Sequence, residues 1–130
     1  LMIQYLTLEE VLELHFMLIE DYGGSHGVRD EARLLSLIEA PQLTVFNVKQ
    51  YPTVYEKAAV NMRNCIADHI FTDGNKRTAV TIASIFLMRN NYELAASPES
   101  LEDFTVEVAT MHYDIEYIAQ WLSKHTKEEV

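Results

Sequence analysis

The 130-residue chain has a single cysteine, three prolines and four glycines. One cysteine excludes an intramolecular disulfide, and Cys65 lies in an apolar-periodic stretch that suits a small buried hydrophobe. A reducing, cytoplasmic setting is expected. So little glycine and proline excludes collagen-like sequence and leaves little room for linkers or disorder. No apolar run approaches the roughly 20 residues needed to span a bilayer. The first residues also lack the basic segment and small-residue cleavage site of a secretory leader. Positive charge is scarce too: 10 Lys and Arg against 20 Asp and Glu give a net charge of −10. That field repels a phosphate polyanion and argues against direct nucleic-acid binding.

What is present suffices for one globule. With 48% hydrophobic residues the chain can build a core unaided, and its length predicts a single domain over residues 1–130. Its charge is uneven. From Lys49 to Asn91 six basic residues face three acidic ones, a balance of +3 that leaves −13 on the other 87 residues. A local excess of this kind can draw a small anion although the global field repels a long one.

The apolar periodicity is helical. Thr7 and Glu10 form a capping-box pair ahead of Val11, Leu14, Leu18 and Ile19, predicting a first helix over 7–22 that Gly23 and Gly24 end. Asp30 caps a second, Leu-rich helix that stops before Pro41. Val45-Phe46 reads as a short extended piece, and Val54, Ala58, Met62, Cys65 and Ile66 predict a third helix over 53–68. The segment 75–90 is apolar around nearly its whole circumference, the pattern of a buried central helix. After a brief extension at Tyr92–Leu94, Ser97-Pro98 begins a fifth helix and Asp114 caps a sixth. The expected fold is an all-α bundle of about six helices with one buried at its centre.

The residues that carry chemistry lie at the head of that buried helix, in His69-Ile70-Phe71-Thr72-Asp73-Gly74-Asn75-Lys76-Arg77. A helix N-terminus has unpaired amides and partial positive charge, so two cations in the first turn are unfavourable unless an anion completes the site. Gly74 lets backbone approach that anion, and Asp73 supplies a carboxylate for Mg²⁺ or for a substrate hydroxyl. His69, one turn earlier, is the nearby side chain able to act as a base. Phe71, an apolar ring in a polar loop, reads as an anchor. Each residue alone has a plain structural reading as turn, cap or solvated charge. Together they are the parts phosphoryl chemistry needs. His15, His26, His112 and His125 fall into no metal-ligand spacing and read as structural or surface residues.

This string resembles the signature of the Fic/Doc family in its Doc (death-on-curing) form, H-x-F-x-D/N-A/G-N-K-R. Tyr22-Gly23-Gly24 and Gly27-Val28-Arg29-Asp30 are similar to the N-terminal half of the same proteins. The resemblance implies a Fic-like helical bundle and the toxin of a toxin-antitoxin pair. Such a toxin would transfer the γ-phosphoryl group of ATP, with Mg²⁺, to a threonine of elongation factor Tu and so arrest translation. Its implied partner is a cognate antitoxin, a small DNA-binding protein with a disordered tail. Most Fic proteins instead transfer AMP and end their motif G-N-G-R-x-x-R; here Lys76 stands for the second Gly and Val80 for the last Arg. No Glu is followed by Gly or Asn, so the self-restraining motif of some Fic enzymes is absent.

Carried over by position, His69 is the base, Asp73 binds Mg²⁺ or the acceptor hydroxyl, Gly74 and Asn75 bind phosphate, and Lys76 and Arg77 neutralise its charge. AMP transfer, and a non-catalytic module that only binds an antitoxin helix in a groove, are the alternatives. Arg29, Arg63 and Thr81 reach the site only if the helices cross suitably, which tertiary structure decides.

Overall fold

The computed structural model describes residues 2–129, and its elements follow the predicted helices closely. Helix α1 (Leu8–Tyr22) starts on the reciprocal Thr7–Glu10 capping box and ends at Gly23, φ 86°. Helix α2 (Glu31–Glu39) is capped by the Asp30 carboxylate, and a single 3-10 turn over Ala40–Gln42 takes Pro41 out of α-geometry. Helices α3 (Val54–Ala67), α4 (Asn75–Arg89), α5 (Pro98–Met111) and α6 (Ile115–Lys124) complete the bundle. Thr53, Ser97 and Asp114 each accept a backbone N–H of the first turn they cap. Among the described residues no helix is long and apolar enough to cross a membrane.

Two short antiparallel strand pairs depart from the sequence reading. Strands β1 (Thr44–Val45) and β2 (Val48–Lys49) form a hairpin with Thr44 opposite Lys49 and Val45 opposite Val48. Phe46, expected in an extended piece with Val45, occupies the turn instead, with φ 49° there and 64° at Asn47. Two successive left-handed residues are what a two-residue hairpin turn demands, and they leave the Phe46 ring 95% exposed. Strand β3 (Tyr92–Leu94) pairs with β4 (Thr126–Glu128) from the chain's end. Thr-Lys-Glu carries no local strand signal; the pairing with Tyr92–Leu94 makes it one.

Helix α4 is buried as its composition predicts, through Thr78, Ala79, Ile82, Ala83, Phe86 and Leu87. Helix α3 lies as deep beside it, burying Ala58, Ala59, Val60, Met62, Cys65 and Ile66 among others. The α3–α4 seam is the most extensive helix pairing in the molecule. Burying side chains such as Met62, Ile82 and Phe86 stabilises the fold by roughly 1.5–3 kcal/mol each, so the loop joining these two helices springs from a deeply buried part of the core. Lys57 is also buried. Its ammonium donates to the carbonyl oxygens of Pro41 (3.0 Å) and Tyr51 (2.6 Å), clipping together the two ends of the segment that carries the hairpin.

Candidate active site

Helix α3 ends at Asp68, and the next residue, His69, adopts a left-handed conformation with φ 48°. For a side chain larger than glycine that conformation costs roughly 1–2 kcal/mol, so neighbouring structure must hold it. The holder is the segment after α1. The Ile70 carbonyl accepts the backbone N–H groups of Arg29 (2.8 Å) and Asp30 (3.1 Å), Phe71 bridges Val28, and Thr72 N–H donates to Gly27 O (3.0 Å). The Arg29 guanidinium donates to His69 O (3.3 Å), and that of Arg33 to the Asp68 carboxylate (3.3 Å). Arg29 thus touches the His69 backbone from 40 positions upstream. The residues 27–30 run as an antiparallel template for 70–72, which gives Gly27-Val28-Arg29-Asp30 a physical role. The His69 ring itself is exposed.

Asp73 is held at both of its polar groups. Its carboxylate accepts Ser25 N–H (3.1 Å) and Gly74 N–H (2.8 Å), and its backbone carbonyl lies 2.8 Å from Nε2 of His15. The Ser25 amide first, then the Gly74 amide and the Arg77 charge, keep the Asp73 carboxyl below the usual carboxylate range. Gly24 makes room for it: a Cβ there would lie 2.6 Å from Asp73 Oδ2, on backbone with φ 114°. Gly74 is the left-handed cap of α4 (φ 76°), and a Cβ there would press on Ile19 at 3.1 Å. Its amide and its missing side chain therefore serve the loop and the packing against α1, rather than an anion alone.

Asn75, expected to bind phosphate, also braces the loop: its side-chain amide accepts Phe71 N–H and donates to Phe71 O, each at 2.9 Å. Phe71 is fully buried and stacked face to face on His15 at 3.8 Å. Asn75 can still give an anion its second Nδ2–H and its backbone N–H. With those of Lys76 and Arg77 this backbone N–H belongs to the first turn of α4, whose Thr78 amide already returns to Gly74 O.

Lys76 and Arg77 are exposed. They line one side of a groove of about 530 Å³ with Leu18 and Tyr22 of α1, Val80 and Thr81 of α4, and Leu101 and Thr105 of α5. The Arg77 guanidinium lies over the Tyr22 ring at 4.6 Å. Thr81 lines that groove beside the two cations and donates to Arg77 O at 3.0 Å. Arg63 is exposed on α3 and bonded to Asn64; like His69 and Asp73, it does not line the groove. The positive stretch of the sequence is likewise not one patch. Lys49 sits on the hairpin, Lys57 is buried, and Arg89 pairs with Glu10 at the opposite end of α4, roughly 18 Å from Arg77 at 1.5 Å per residue. The positive character at the head of α4 rests on two side chains and the helix dipole.

No cluster of three or more His, Cys, Asp or Glu that could cage a metal exists among the described residues. Asp73 fits Mg²⁺ in another way. Each carboxylate oxygen accepts one amide, the residue is exposed, and one carboxylate with phosphate oxygens and water is an ordinary Mg²⁺ environment. Cys65 is no nucleophile: it is buried, burial pushes its thiol far up, and it donates to Asn75 O at 3.4 Å. The residues that sequence reasoning undervalued are His15, Gly24 and Ser25. His15 shares the buried stripe of α1 with Val11 and Ile19, and a polar ring four residues from each neighbour on that stripe is the one signal that marked it.

The arrangement is that of a helical protein with a histidine, a carboxylate and two cations on the loop and first turn at the head of a buried helix. The family model of the Fic/DOC family matches residues 5–87. Over 94% of its length the chain is 38% identical to Toxin Doc of Mycolicibacterium smegmatis, covering 93% of that protein. It is 34% identical over 93% of its length to Protein kinase doc of Escherichia phage P1, covering 94% of it. The chain belongs to the Fic/DOC family.

Proposed function

We propose that the chain is the toxin of a toxin-antitoxin pair and a protein kinase, which transfers the γ-phosphoryl group of ATP to a protein hydroxyl. The names of its two relatives, a toxin and a protein kinase, support the class. The observation that carries the reading is the head of α4: Lys76 and Arg77 stand where the helix dipole is already positive, downstream of Asp73 and His69 on a loop held from both sides. In the proposed step the acceptor oxygen bonds to the γ-phosphorus, the bond from that phosphorus to the β–γ bridging oxygen breaks, and ADP leaves. The hydroxyl proton passes to His69. Lys76, Arg77 and the first-turn amides stabilise charge on the transferred group. Asp73 would hold Mg²⁺, which supplies further charge neutralisation when bound.

Threonine of elongation factor Tu is the proposed acceptor, with arrest of translation as the outcome and a cognate antitoxin as the restraint. Lys76 in place of the AMP-transfer glycine puts a bulky cation at the phosphates, and this favours phosphoryl over AMP transfer. The test is incubation of the purified chain with elongation factor Tu and ATP labelled at the γ- or the α-phosphate. Label from the γ-position alone is expected. Label from the α-position alone assigns AMP transfer. If neither label is transferred and ATP with Mg²⁺ changes no melting temperature, the chain is a binding module.

A further inference from the structure

Asp73 is tied at both ends to one upstream element. Ser25, just after α1, donates to its carboxylate, and His15, within α1, meets its backbone carbonyl at 2.8 Å. His15 is only 4% exposed. A carbonyl can only accept, so the ring proton sits on Nε2. The same ring stacks on Phe71 at 3.8 Å and 8°, and it lies against the position a Gly74 side chain would take. One imidazole therefore meets Phe71 and the Asp73 carbonyl and lies beside Gly74.

From this geometry we infer that His15 is a positioning residue, whose Nε2–H sets the height of the Asp73–Gly74 turn and thereby the place of the Asp73 carboxylate. The inference rests on the phosphoryl-transfer reading for its kinetic consequence, but not for its structural one.

The experiment compares the full chain with its His15→Phe, His15→Gln and His69→Ala variants. Phe keeps the stack and loses the donor; Gln keeps a donor at the equivalent atom and loses the stack. Two readouts are taken: amide hydrogen exchange at Ser25 and Gly74, and kcat and KM for γ-phosphoryl transfer to elongation factor Tu. For His15→Phe the two amides are expected to exchange about tenfold faster, as for loss of one buried hydrogen bond. Its kcat is expected to fall about tenfold to a hundredfold with little change in the KM of the protein acceptor. His15→Gln recovers most of both.

Wild-type exchange in His15→Phe, or faster exchange with an unchanged kcat, overturns the inference. Equal losses in the Phe and Gln variants also overturn it, because they assign the effect to packing. Full activity in His69→Ala strikes the phosphoryl-transfer reading instead, and the exchange data then decide His15 alone.

Discussion

The two ends of α4 are built to opposite rules. At its last turn nearly everything is paired: Arg89 meets Glu10, and the Asn90 side chain accepts Gln4 N–H while donating to Gln4 O and Phe86 O. The cation there also suits the negative end of the helix dipole. At its first turn the pairing stops at the loop. Asn75 and Asp73 secure residues 71–74, but Lys76 and Arg77 stand exposed at the positive end of the same dipole. One end holds the N-terminal segment to the bundle. The other keeps two exposed cations at the positive end of the dipole, offset only in part by the Asp73 carboxylate and the Tyr22 ring, and it is there that the proposed chemistry lies.

Substitutions can break that contrast, and the largest effect is expected at the first turn. Lys76→Met or Arg77→Met should lower the transfer rate about 100- to 1000-fold while leaving the melting temperature unchanged or slightly raised. Transfer assays and calorimetry on one preparation check both halves. A clear loss of stability would mean that the cations are structural. At the last turn the reverse is expected: Asn90→Ala removes three hydrogen bonds and should cost about 1–3 kcal/mol in urea unfolding, with kcat within about twofold of the parent.

Gly24→Ala tests whether the first turn depends on the loop beneath it. Its left-handed backbone alone costs about 1–2 kcal/mol with a side chain, and the added methyl displaces the Asp73 carboxylate. Both stability and rate should therefore fall. An active, destabilised variant would detach Asp73 from the chemistry.

The smallest effect is the pH response of the last turn. Arg89 first, with the Thr7 amide, holds the Glu10 carboxyl down to about 2 from its ordinary 4.5. A carboxylate lowered on folding contributes stability that is present above 4.5 and is lost as pH falls towards about 2. Acid unfolding followed by circular dichroism should show this component in the parent and a shallower loss in Glu10→Gln. Identical profiles would show that the exposed pair contributes nothing.

The sequence alone made the helices legible because their signals are local. Thr7 with Glu10, Asp30, Ser97 with Pro98 and Asp114 satisfy amides within four residues of themselves, and apolar spacing reports the buried face. The nine residues from His69 to Arg77 stood out for the same reason: a histidine, a carboxylate and two cations are neighbours in the chain. By itself, then, the sequence determined the six helices and the family likeness, and it singled out the string proposed to carry the chemistry.

Tertiary structure decided what depends on distant partners. Thr126–Glu128 is a strand only because Tyr92–Leu94 lies beside it. Arg29 reaches His69 across 40 positions and His15 reaches Asp73 across 58. Asn75 gained a role as the brace of Phe71, and the positive window of the sequence dispersed, with Arg89 carried to the far end of its helix. The physical reason is common to all of these. Hydrogen-bond partners and charge neighbourhoods are fixed by which surfaces the core brings together, and no local pattern encodes that.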